Sequence, residues 1–361
     1  CMKKILSFLL LLSLCLAFPD SVMAKETTYD YETVIDMVAE EYIGKTIPGA
    51  SIIISEHGDI VFAKGYGYAD IEQQIPIEPS STVFEWGSIT KTFVWVSVMQ
   101  QVELGHIDLS QDIHTYLSDG FLKNIQYETP ITMLHLMNHT AGFAEQLFDL
   151  RYQENDMEQS LEDVLSINQP EQVFEPGTVS AYSNWGAALA ALIVERVSGQ
   201  DFAEYVHEHI LSPLSMSQTA VRPQWNDCSA IIEKKATGYS FSAYNETFQV
   251  EDWMRFRMYP AGSMNGTSLD LMKYANELAK MPDTSSILFH MYCMTDNILL
   301  SILFQDAQTK NLMFSETYCS FGANAGLSHG FWQYPNNSGI LGHEGGTYGF
   351  KSQFWVEPET E

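Results

Sequence analysis

The spacing of apolar residues divides the chain into strand-like ends and a helix-like middle. Ala50-Ser51-Ile52-Ile53-Ile54-Ser55 and Ile60 to Gly67 flank a His57-Gly58-Asp59 turn and read as a β-hairpin. Helical spacing takes over from Ser88 to about Leu104, where Phe93, Val96, Val98 and Met99 recur near the helical period. Ile131–Met137 reads as a short helix, Trp185–Val197 as a buried helix stopped at Gly199, and Leu269–Lys280 as an amphipathic one. Strand signals return only near the end, at Gly330–Tyr334, Gly339–His343 and Lys351–Val356. The pattern predicts an α+β fold, in which one antiparallel sheet is formed by both chain ends. That sheet lobe spans about 35–84 and 325–361, and a mostly helical lobe of about 85–324 is inserted, with the active site in the cleft between them.

The first two dozen residues stand apart. Lys3-Lys4, an apolar run from Ile5 to Phe18 and Val22-Met23-Ala24 have the order of a bacterial signal peptide over residues 1–24. The apolar run is short for a membrane span, although an uncleaved anchor is the alternative. A secreted or extracytoplasmic location is therefore expected. The remainder, 25–361, is long enough for a large core.

The chemistry begins at Gly87-Ser88-Ile89-Thr90-Lys91, the one place where a Lys follows a Ser by three positions. On a helix the two side chains share a face, so an amine sits beside a hydroxyl too weak to attack unaided. A helix entry also directs free backbone N–H groups at that oxygen. The competing interpretation is an N-cap Ser followed by a solvent-facing Lys. Tyr182-Ser183-Asn184 and His343-Glu344-Gly345 follow downstream. Tyr-x-Asn also occurs at Tyr274-Ala275-Asn276, inside an amphipathic helix and so expected in the core, and at Tyr334-Pro335-Asn336, beside a turn. Tyr182 is preferred because it opens the Ala/Leu-rich helix after a Gly177–Ser180 loop.

Together these three strings resemble the motifs of the serine β-lactamase and penicillin-binding protein superfamily, in its class C β-lactamase-related, DD-peptidase-like branch. Pro48-Gly49-Ala50, the Ile131–Gly142 stretch, Pro260–Ser263 and Gly342–Phe350 share the likeness, which covers roughly residues 35–361. It implies an acyl-enzyme hydrolase with Ser88 as nucleophile and Lys91 or Tyr182 as base, a phenol beside Lys91 being a candidate for a depressed pKa. Asn184, His343 and Gly345 would contact substrate, Asn184 also bracing Lys91. The backbone N–H groups of Ser88 and Gly346 would form the oxyanion hole, with Gly345 and Gly346 letting substrate approach the strand edge. The resemblance implies a small-molecule or peptide substrate, cell-wall derived peptides among them, joined through a D-amino-acid peptide, ester or β-lactam amide bond.

Two departures qualify that expectation. His343 stands where many relatives carry the Lys of Lys-Thr-Gly, and the nearest such string, Lys235-Ala236-Thr237-Gly238, is interrupted and lies too early. A His can still donate to a substrate carboxylate or to Tyr182. Glu344 would repel an anionic substrate if it lined the cleft. A true class C-like β-lactamase and a non-hydrolysing penicillin-binding sensor remain as alternatives.

Composition excludes several other classes. With 18 Lys+Arg against 46 Asp+Glu, a net charge of −28 makes nucleic acid and anionic membrane surfaces poor partners. Membrane association would come only through an uncleaved signal or a C-terminal tail. Neither cofactor nor metal is expected: His135 and His139 are spaced i,i+4 without the adjacent Glu of a zincin helix, and His207-Glu208-His209 has no third ligand nearby. Gly65-Tyr66-Gly67 lacks the third Gly of a phosphate loop. Cys228, Cys293 and Cys319 have no CxxC spacing and read as buried free thiols, one bridge remaining open. Glu357–Glu361 looks like a hairpin turn, after which the resembled family continues with a strand and a packing helix, so a longer gene product is expected.

Overall fold

A computed structural model describes residues 30–145, 151–153, 156–280, 303–319, 326–334 and 339–358. The expected signal peptide and Cys293 lie outside the described residues. Helix α1 (Tyr31–Tyr42) is started by Asp30, whose carboxylate accepts the Thr33 N–H at 3.1 Å.

In the unit spanning residues 41–361, the first hairpin forms as its pattern dictates. Strands β1 (Gly49–Glu56) and β2 (Asp59–Asp70) pair antiparallel through a turn in which His57 and Gly58 both take positive φ, at 51° and 84°. That turn twists in the sense of the strands it joins. Strand β3 (Ile75–Pro76) completes a three-stranded sheet. Strand β4 (Val83–Glu85) leads through a 3₁₀ turn at Gly87–Ile89 into α2 (Thr90–Glu103). Helices α3 (Met133–Met137), α4 (Leu161–Ile167), α5 (Asn184–Ser198) and α6 (Phe202–Val206) follow. Then come β5 (Thr219–Ala220), β6 (Gly238–Ser242), β7 (Thr247–Glu251), β8 (Asn265–Thr267) and α7 (Ser268–Ala279). Helix α8 (Ala307–Phe314) precedes β9 (Tyr318–Cys319), β10 (Gly326–Ser328), β11 (Phe331–Gln333), β12 (Leu341–Gly346) and β13 (Lys351–Val356).

Both chain ends supply antiparallel sheet, as expected, but in two pieces. The C-terminal strands form a five-stranded sheet ordered β13-β12-β11-β10-β9, and no ladder among the described residues joins it to β1-β2-β3. Helix α7 touches both: Ser268 Oγ bonds Ser51 Oγ at 2.5 Å in one sheet, and Tyr274 packs on Phe354 in the other. Strands are not confined to the ends, either. β5 and β4 flank β8 in a small sheet, and β6 pairs with β7. The first three are only two or three residues long, too short for alternation to register. The β6–β7 hairpin did carry a signal, in the alternation of Tyr239 with Phe241 and of Phe248 with Val250.

Helix α2 is buried on every side from Thr90 to Gln101, so it forms the centre of the core rather than one wall of it. The Ala-rich α5 lies in the same core, buried from Trp185 to Val194 and closed by Gly199 at φ 72°. Tyr274 is fully buried and stacks on Phe93 with ring centroids 4.1 Å apart, as expected of a core residue. Cys228 is a free, half-buried thiol whose Sγ faces the Ser217 carbonyl. No helix among the described residues is long and apolar enough to cross a membrane.

Candidate active site

The nucleophile candidate sits on a turn that only glycine permits. Gly87 has φ +53°, and a Cβ there would lie 2.7 Å from the Gly346 nitrogen. On the facing strand a Cβ on Gly345 would lie 1.9 Å from the Trp86 carbonyl oxygen and 3.2 Å from the Ser88 nitrogen. Strand β12 is therefore pressed against the Ser88 turn, with the backbone nitrogens of Ser88 and Gly346 at the junction. Gly345 makes room for that turn, while β12 beyond Gly342 is paired on one edge only, with β13, among the described residues.

Lys91, the second residue of α2, is fully buried, which rules out the solvent-facing alternative. Its Nζ lies 3.1 Å from Ser88 Oγ, 2.7 Å from Asn184 Oδ1 and 2.6 Å from the Ala261 carbonyl oxygen. Burial lowers its pKa from 10.5 to about 7, against a smaller upward pull from Glu145. The amine also stands 4.8 Å from the centroid of the Tyr182 ring. Asn184 is the first residue of α5, behind the N-cap Ser183 whose hydroxyl accepts the Gly186 N–H at 3.0 Å. Capping thus falls to Ser183, and Asn184 is left to face Lys91.

Tyr182 hydrogen-bonds Ser88, but burial raises its pKa well above the ordinary phenol value. The depressed phenol expected from sequence is not found, because desolvation, helped by the Glu145 charge, outweighs the hydrogen bond to Ser88. The Tyr182 ring is held between His139, 4.5 Å away between centroids, and Trp332, 6.3 Å away. Trp332 in turn lies 4.8 Å from the ring of His343.

His343 departs from expectation in its polarity. It is fully buried, and its Nδ1 lies 2.5 Å from the Glu344 carbonyl oxygen, to which it can only donate. Burial, with Lys91 nearby, lowers its pKa to about 3, so the ring is neutral and Nε2 carries no proton. That Nε2 is buried without a partner among the described residues. In this tautomer Nε2 is an acceptor, the opposite polarity to the donor to a substrate carboxylate or to Tyr182 expected from sequence. Glu344 alternates to the other face of β12 and is exposed.

Sequence reasoning missed three contributors. Glu145 accepts the Asn184 N–H at Oε2 (2.9 Å) and an Asn184 Nδ2–H at Oε1 (2.7 Å). The Ala261 carbonyl lies in the Pro260–Ser263 stretch, whose likeness was noticed without a role. His139 is no metal ligand among the described residues: its Nδ1 accepts the Ser183 N–H at 3.2 Å and helps set the Tyr182–Asn184 segment. The other histidines disperse. His135 closes a capping box with Thr132, His207 bonds Asp227 at 2.8 Å, and His209 bonds Gln200 at 3.0 Å. Tyr334 is exposed and packs on Trp355.

A family model described as Beta-lactamase matches residues 34–361, the greater part of the chain. The chain belongs to that family. Among curated proteins it is 28% identical over 255 residues to Protein flp of Staphylococcus aureus (strain N315), covering 64% of this chain and 50% of that protein. It is 26% identical over 240 residues to Penicillin-binding protein 4* of Bacillus subtilis (strain 168), covering 63% and 51%. The chain thus spans about half the length of the curated relatives it matches. In fold it resembles the octameric penicillin-binding protein homologue from Pyrococcus abyssi, with a TM-score of 0.74 at 23% identity over 91% of this chain and 71% of that one.

Proposed function

We propose that this protein is an extracytoplasmic serine hydrolase that works through an acyl-enzyme on Ser88. The observation that carries the reading is how Lys91 is held. A neutral amine has two N–H donors and one lone pair. Asn184 Oδ1 and the Ala261 carbonyl, at 2.7 and 2.6 Å, take both donors, and the lone pair is left for the Ser88 hydroxyl at 3.1 Å. With a pKa of about 7 the amine is half neutral at neutral pH, where a general base is most effective.

Lys91 would take the Ser88 proton as Oγ attacks the acyl carbon, and the Ser88 and Gly346 N–H groups would bind the oxyanion. Tyr182, protonated throughout the physiological range, is suited to pass a proton to the leaving group and, with Lys91, to activate the water that frees the acyl group. The substrate class favoured is a D-amino-acid peptide, ester or β-lactam amide. Within that class the neutral His343 argues for bonds whose leaving side carries no carboxylate to be matched by a cation. This favours esters and amides with an uncharged leaving side over a dedicated β-lactamase.

The test is to expose the full chain to a fluorophosphonate, a fluorescent penicillin, a chromogenic cephalosporin, D-Ala-D-Ala peptides and nitrophenyl esters. Covalent labelling should occur at Ser88 and vanish in Ser88→Ala, with turnover of an ester or peptide. Stoichiometric labelling of the Ser88→Ala protein would sink the assignment. Labelling by penicillin without turnover of any substrate would favour the sensor reading instead.

A further inference from the structure

We infer that Glu145 is a positioning residue of the catalytic apparatus: it fixes the amide of Asn184 so that the base, Lys91, is aimed at Ser88. The inference rests on the proposed role of Lys91 and adds to it the group that makes that role possible.

An asparagine amide presents an acceptor on one side and two donors on the other, and it can turn over to exchange them. Turned over, Asn184 would face the Lys91 amine with its own N–H groups. The amine's lone pair would then be drawn to Asn184 and away from Ser88. Glu145 forbids this, because its Oε1 accepts from Asn184 Nδ2 while its Oε2 accepts from the Asn184 backbone N–H. The two bonds tie the side chain to its own main chain in one orientation. The carboxylate also lies at the start of the 15-residue α5, where free N–H groups and the helix dipole favour an anion. Its charge reaches Lys91 through Asn184 without touching it, opposing the effect of burial. The other titratable groups facing Lys91 are Tyr182, His139 and His343, and the two histidines are neutral in this site.

A glutamine at 145 cannot reproduce the clamp, since one of its two terminal atoms is a donor facing a donor. Glu145→Gln should slow labelling of Ser88 by a fluorophosphonate about tenfold to a hundredfold, as expected when a reacting group loses its orientation. It should also move the acid limb of the labelling-rate profile to lower pH, because the carboxylate that favoured the ammonium form is gone. Glu145→Asp keeps the charge with a shorter reach, so its rate should fall while its acid limb stays near that of the wild type. Labelling rates of the full chain and of both variants would be measured from pH 5 to 9, each shown to be folded by its thermal unfolding. A fall in rate with no displacement of the limb in Glu145→Gln would mean a merely structural role and would overturn the inference, as would wild-type rates in both variants. If the wild type itself were not labelled at Ser88, the nucleophile assignment would fall first and this inference with it.

Discussion

Lys91 and Lys235 are both buried, within reach of the same short segment at 261–265, and they have different characters. Lys91 meets a hydroxyl, an amide oxygen and a main-chain carbonyl, and its nearest carboxylate, Glu145, acts from behind Asn184. Lys235 also meets an asparagine, Asn265 at 2.6 Å, but its second partner is the Glu85 carboxylate itself at 2.7 Å. Trp225 and Trp253 cover it with centroids 4.0 and 4.9 Å from Nζ. Burial lowers both pKa values, to about 7 for Lys91 and about 8 for Lys235, where contact with Glu85 works against it. The lesson concerns the distance of the anion. A carboxylate in contact makes a buried lysine half of an ion pair; one held a residue away leaves the amine without a charged partner in contact, so that its neutral share can act as a base.

The largest expected effects separate the two. Lys91→Met should lower the rate of Ser88 acylation by about a thousandfold or more, since both the base and its positive potential disappear. Lys235→Met should leave acylation per folded molecule within a few-fold of wild type but cost about 3–5 kcal/mol of stability, because the Glu85 carboxylate stays buried without its cation. Adding Glu85→Gln should recover part of that loss. Acylation rates and urea unfolding of the three proteins check this. A Lys235→Met protein that is stable but inert would abolish the distinction.

A smaller effect follows from the titration of Lys91. Between about pH 7 and 10.5 the unfolded chain holds a proton at this position that the native chain lacks, so raising the pH favours the native state. The unfolding free energy of wild type minus that of Lys91→Met should therefore rise by about 1.4 kcal/mol per pH unit from 8 to 10. The same difference should flatten below pH 6. Lys235 is common to both proteins and cancels. Urea unfolding at several pH values measures the slope, and a flat difference would mean that Lys91 is charged in the folded protein.

How far this was legible in the sequence depends on whether the information was local. The Ser88–Lys91 pair, the Tyr182–Asn184 string and the helices that carry them are local patterns, and the structure places Ser88, Lys91, Tyr182 and Asn184 together. Glu145 could not be read, because a lone carboxylate in a loop has no spacing to mark it and its meaning lies in a bond to a residue far along the chain. The same holds for the Ala261 carbonyl, since every residue has one. Lys235 reads in sequence only as part of an interrupted motif, and nothing near it announces Glu85 as its partner. His343 was legible as a position but not as a polarity. Its tautomer is set by the carbonyl of the next residue and by burial beneath Trp332, neither of which is a sequence feature.

The smallest expected effect carries the comparison of carboxylates to its solvent limit. Glu344 lies on the exposed face of β12, opposite the buried His343 and paired in register with Gln353. A carboxylate lining a dry cleft would shift the preference between anionic and neutral substrates about tenfold, or 1.4 kcal/mol. An exposed one acts through water, where even contact at 4 Å is worth only about 1 kcal/mol and salt screens the rest. Glu344→Thr should therefore raise acylation by an anionic β-lactam, relative to a neutral nitrophenyl ester, by no more than about threefold at 0.1 M salt. The gain should shrink toward unity in 1 M salt. Measuring both second-order rates at the two salt concentrations decides the matter. A tenfold gain that survives high salt would mean that Glu344 meets substrate in a desolvated space, and that exposure does not divide the anions that matter from those that do not.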